Sequence, residues 1–177
     1  MSQQPSLRPA DVAVALRLAW EPGEGYEALS GALALSLGAA HNSVGRLEQA
    51  GLVIPESRDV DRRSLLEFLV HGARFAFYPV IGPEGRGVPT AHAAPPLSDD
   101  IVGDTAFVWP SARGAGRGTT LTPLYAGAPD TVETAPEVYR ALTLVDALRV
   151  GRVRERRLAR EHLERLLAVS LAADESP

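Results

Sequence analysis

The chain contains no cysteine. Disulfides, thiolate metal sites and a cysteine nucleophile are therefore excluded. It also contains no lysine, so all 18 of its basic residues are arginine. A codon preference for arginine accounts for that bias without a functional cause. Aromatic residues are scarce, at 6%. No apolar run reaches the length that spans a bilayer. The start of the chain lacks a basic stretch followed by an apolar core, so no signal peptide is expected and a cytoplasmic location is. Positive charge is not in excess either: the formal net charge is −4. That argues against a protein that coats nucleic acid by bulk charge. It leaves open a specific reader, which needs only one positive face.

What is present suits a folded protein. A length of 177 residues and an apolar fraction of 45% allow one good core with an elaborated second half. Helical patterning dominates both ends of the chain. In the first helix Pro9 suits the opening turn and Asp11 complements the dipole. Val12, Leu16 and Trp20 then share a face. A second helix is expected over 25–34, with Tyr26, Leu29 and Leu33 on one stripe. A third runs over 36–50, capped by Ser36 and stopped at Gly51. A fourth is expected over 61–73. From Phe75 to Val80 the residues suggest a strand, with a return over 88–94 after the glycine turn. Pro79 and Pro89 make these edge strands. Further short strands are expected at 106–109 and 120–125. The final helices are expected over 136–149 and 152–171, broken at Gly151. The predicted architecture is mainly α with a small β component. Its expected divisions are a winged helix-turn-helix over 1–97, an irregular connector over 98–134, and C-terminal helices over 135–177 that contribute a dimer interface.

The segment from Tyr26 to Val53 has the layout of two helices meeting at a tight turn. Leu29 and Leu33 face inward from the first. Ser30 is small where the helices touch, and Ala34 occupies the turn. Ala40, Val44 and Leu47 anchor the second helix and leave its other face free. The segment closes on Arg46-Leu47-Glu48-Gln49-Ala50-Gly51-Leu52-Val53. This stretch resembles the winged helix-turn-helix of MarR-type and related bacterial regulators. The likeness covers about the first half of the chain. Two departures separate it from strict MarR members. The residues from Arg58 to Ala73 suggest an added helix, which displaces the wing to Phe75 onward, and the third helix carries only Arg46 as a charged cation in its body.

The resemblance implies a regulator, with repression the expected mode, that binds double-stranded DNA as a homodimer. By position, Gly38, Ala39, His41, Asn42 and Arg46 would approach base edges. Asn42 has the two-pronged amide that matches adenine. Ser36 and Ser43 would meet phosphates. Arg58, Arg62 and Arg63 would clamp the backbone at the flank, and Arg86 would do so from the wing tip.

Other classes have thinner support. The glycine cluster from Ser111 to Thr120 lacks the lysine and spacing of a phosphate loop, so a nucleotide-binding enzyme is not expected. The four histidines show no metal-ligand spacing, and Asp99, Asp100 and Asp104 sit in loop-like surroundings. No cofactor is expected. The main alternative is an interaction module, an antitoxin-like adaptor whose rigid 85–97 segment contacts a partner protein. A small-molecule effector pocket walled by Trp109, Tyr125 and Tyr139 is a further option, although core packing is the commoner role for each. The arginine-rich 149–165 stretch suits a solvated helix face with pairs such as Glu161 and Arg165.

Overall fold

The computed structural model describes residues 5–103 and 105–171. Helix α1 (Pro9–Trp20) opens the fold, followed by α2 (Tyr26–Leu33) and α3 (Leu37–Gln49). Next come α4 (Arg62–Glu67), a π-helical turn (Phe68–Gly72) and α5 (Ala73–Ala76). Strand β1 (Ile81–Thr90) leads through short helix α6 (Leu97–Asp100) to β2 (Phe107–Pro110) and β3 (Gly116–Leu121). The chain ends in α7 (Thr131–Thr134), α8 (Pro136–Val150) and α9 (Val153–Leu167). The mainly α character with a small β component is as expected.

Helix α8 is the spine. Val138 and every residue from Ala141 to Leu148 are buried. Helices α1, α5, α7 and α9 and strand β1 all pack against it. Helix α1 is nearly as enclosed, with Asp11 to Leu16, Leu18 and Ala19 buried. The core therefore runs continuously from the first helix to the last. Helix α9 is one-sided: Ala159, Leu163 and Leu167 face inward. Val153, at its start, is exposed. Arg157–Glu161 and Arg160–Glu164 pair along the outer face. Arg165 instead donates to the Glu161 carbonyl. No described helix is long and apolar enough to cross a membrane.

The β part departs from expectation. Residues 75–80 do not form a strand that folds back on 88–94. The long β1 instead pairs antiparallel with β3 over its first part and with β2 over its last, and β2 and β3 run parallel. The three strands close on one another. The cause lies in α8. The Arg149 guanidinium takes the carbonyls of Phe77 (2.7 Å) and Tyr78 (3.3 Å), so these acceptors are spent on a side chain and not on a ladder. Gly87 sits where β1 meets both partners. A Cβ there would lie 2.0 Å from the Trp109 carbonyl oxygen, so only glycine permits the crossing.

The sheet is pinned to α8 by a buried polar knot. Asp146 Oδ2 accepts from the Trp109 indole (2.6 Å) and the Thr90 hydroxyl (2.7 Å). Its Oδ1 accepts from Arg149 (2.6 Å). Burial pushes the Asp146 carboxyl up from its ordinary value, against the pull of Arg149 and the two neutral donors. Periodicity in the sequence places Asp146 among leucines and valines and gives no hint of these partners.

Candidate functional site

Helices α1, α2 and α3 pack together, and the turn between α2 and α3 is tight. Ala34 adopts the left-handed conformation there, with φ 50°. The Ser30 hydroxyl closes the turn by donating to the Leu35 carbonyl (2.6 Å). Ser36 then caps α3, its Oγ accepting from the Ala39 amide (3.1 Å). Ala40, Ser43, Val44 and Leu47 form the buried face of α3.

The opposite face of α3 is bare at its beginning. Ser36, Leu37, Gly38, His41 and Asn42 are exposed, and Ala39 is half-buried. Leu37, at 51% exposure, is an apolar side chain that contributes little to the core. His41 lies against the Tyr26 ring, with centroids 4.8 Å apart. Arg58 covers that same ring at 4.2 Å and donates to the Glu24 carbonyl (2.9 Å). The stack joins three elements: the start of α2, the exposed face of α3, and the segment after α3.

That segment is a small hairpin. Val53 and Val60 form an antiparallel bridge, and the Ile54 amide donates to the Asp59 carbonyl (2.8 Å). Glu56 and Arg58 turn the tip with positive φ values of 70° and 56°. A wing-like hairpin thus follows α3 directly. No strand pattern marks these few residues, because a single bridge needs no alternating run.

Two of the expected contact residues face inward. The Ser43 hydroxyl is buried and accepts from Arg46 (3.1 Å), so it cannot meet a phosphate. Arg46 turns toward α1 and binds both oxygens of buried Asp11, at 2.8 and 2.6 Å. The Asp11 carboxylate and its hydrogen bonds hold the guanidinium above its ordinary value. Arg46 therefore braces α3 against α1 and is not free for a base edge. A charge buried on a neighbouring helix is what diverts it, and periodicity along α3 alone cannot show that.

The flanking arginines are also engaged. Arg62 donates to the Ala19 carbonyl (2.6 Å) and the Leu167 carbonyl (3.4 Å). Arg63 pairs with Glu67 at 3.4 Å. Arg86 is remote from α3, on β1, and its Nε donates to the Gly114 carbonyl (2.7 Å). The structure thus brings together Ser36, Gly38, His41, Asn42 and Arg58, and places Arg86 elsewhere. The residue missed in the sequence is Tyr26, the ring between His41 and Arg58. Its place on the Leu29 and Leu33 stripe hides that role.

Among the described residues, no group of three or more histidine, aspartate or glutamate side chains is placed to hold a metal ion. Asp100 pairs with His162 at 2.9 Å, and Asp104 lies outside the described residues. Tyr139 donates to the Pro89 carbonyl (2.8 Å) and stacks edge-on against buried Trp109. Trp109 packs the core, while half-buried Tyr139 also lines a surface cleft with Val88, Pro89 and Val132. No protein-family model, curated protein or solved structure is matched by this chain, so its role rests on the geometry above.

Proposed function

We propose that this protein is a sequence-specific DNA-binding regulator in which α1–α3 and the 53–60 hairpin act as a winged helix-turn-helix. The observation that carries this reading is the bare start of α3. A capped helix N-terminus presents Leu37, Gly38, His41 and Asn42 to solvent, none of them needed by the core. Small and polar residues at such an end fit a major groove, and the helix N-terminus favours a phosphate nearby. Asn42 is the residue for an adenine edge, His41 for a base or phosphate, and Leu37 for a thymine methyl. The hairpin with Arg58 lies beside the helix, where a wing contacts the flanking backbone.

A homodimer fits this role, because two copies would read two half-sites about one helical turn apart. The free apolar surface for it lies at Phe75, Tyr78, Val80 and Ile81, all more than half exposed.

Selection from a random duplex library, followed by binding at several salt concentrations, tests the reading. A preferred sequence should emerge. The double substitution His41→Ala with Asn42→Ala should abolish the preference while leaving thermal unfolding within about 0.5 kcal/mol of the parent. A parent protein with no preference for any duplex would overturn it. In that event the adaptor reading takes over. Its support is that Arg46, Arg58 and Arg62, the arginines around α3, all hold partners inside the protein.

A further inference from the structure

We infer that Arg86 and Arg117, which face each other across the β1–β3 ladder, form a second phosphate-binding ridge for the backbone of duplex DNA. This rests on the DNA-binding reading for its ligand, and extends the footprint from α3 to the sheet.

The register carries the inference. Gly85 pairs with Gly118, Arg86 with Arg117, and Gly87 with Gly116. Residues directly opposite in an antiparallel pair share one face, with Cα atoms about 5 Å apart. The two arginines are thus held on one face of the ladder, and both are exposed. Like charges directly opposite on a ladder destabilise it. Neither arginine has a carboxylate within ion-pair distance among the described residues; Arg86 donates only to the Gly114 carbonyl. Glu84 lies two residues along the same face of β1 and forms no ion pair with either. Paired guanidinium forks match the oxygens of a phosphate, which supplies the missing counter-charge.

A series of contacts links this ridge to the turn before α3. Gly114, held by Arg86, follows Arg113, which pairs with Asp130. Asp130 precedes α7, and the Thr134 hydroxyl at the end of α7 donates to the Ala32 carbonyl (2.6 Å). Gly127 packs against the carbonyls of Leu33 and Ala34, at the α2–α3 turn. A continuous chain of contacts therefore joins the arginine ridge to the turn that presents α3.

The test uses the full chain, a random-sequence duplex, and Arg117→Gln. Arg117 is the better probe because Arg86 also holds the Gly114 carbonyl. The variant should weaken binding equally for preferred and random duplexes. It should also lower the slope of log affinity against log salt by about one. Without DNA, its melting temperature should be unchanged or raised, since a like-charge contact is removed. A lower melting temperature with an unchanged salt slope would mark Arg117 as structural and overturn the ridge. Inorganic phosphate is the second arm. If it stabilises the parent but not Arg117→Gln, while duplex binding ignores the substitution, the pair serves free phosphate and the duplex assignment fails. The two readings separate cleanly. An Arg117-dependent salt slope without sequence preference keeps the ridge and removes the α3 reading. A preference that depends on Asn42 with no Arg117 effect does the reverse. No duplex binding at low salt overturns both.

Discussion

Helices α3 and α8 are of similar length, 13 and 15 residues, yet they are used in opposite ways. From Ala141 to Leu148 helix α8 is enclosed on every side, down to a carboxylate. Helix α3 seats one face and leaves the beginning of the other bare. Their single interior ion pairs differ in the same sense. Asp146–Arg149 lies wholly within α8, with side-chain exposures of 1% and 4%. Asp11–Arg46 joins α1 to α3, and Arg46 keeps 21% of its side-chain surface in solvent. A helix surrounded by partners has no residue to spare for a ligand. A helix at the margin does, and its charged residues show which of its sides is structural.

Substitutions can break or sharpen that contrast. The largest effect is expected at Asp146→Ala, which strands the buried Arg149 charge together with the Thr90 hydroxyl and the Trp109 indole. Denaturant unfolding should register a loss of about 3–5 kcal/mol. Arg46→Ala should cost less, about 2 kcal/mol, because one partner is half-open to water and Asp11 keeps the Arg8 amide (2.8 Å). If Arg46→Ala leaves stability untouched and instead removes DNA binding, the contrast between inward and outward faces fails. Asp61 offers a control outside both helices. It caps α4 by accepting from the Ser64 amide (3.0 Å) and hydroxyl (2.7 Å). Those bonds hold its carboxyl below the ordinary value. A lowered folded value means stability present at neutral pH and lost as pH falls through it. Asp61→Ala should therefore cost about 1 kcal/mol at pH 7, and the gap should narrow below about pH 4 in acid-titrated melts. The smallest effect has the opposite sign. Ala34 holds a left-handed turn that suits glycine, so Ala34→Gly should stabilise by about 0.5 kcal/mol in the same melts.

The α1–α3 layout was legible because each helix there carries its own signals. Pro9 opens the first, Ser36 caps the third, and Gly51 ends it with φ 73°. Leu29, Leu33, Ala40, Val44 and Leu47 fall on the expected faces. The pairing of the sheet was not legible, because its register joins residues 12 to 40 positions apart and is settled by α8. The same limit explains the site. His41 and Asn42 were visible as outward positions on one helix. The inward turn of Arg46 and Ser43 and the ring of Tyr26 depend on neighbouring elements that no single-helix pattern contains.

The carbonyl contacts at the far end of α1 bear on how the chain reaches this fold. Arg62 binds the carbonyls of Ala19 and Leu167, and the Trp20 indole donates to the Leu166 carbonyl (3.3 Å). The first helix is thus tied to the last, and α8 covers its flank. During synthesis, α1 leaves the ribosome long before α8 and α9 exist. The face of α1 that α8 covers is completed only once α8 has emerged. Completing the α1 end of the fold therefore requires contacts as far as 146 residues apart in sequence, a long closure that costs chain entropy before it is rewarded.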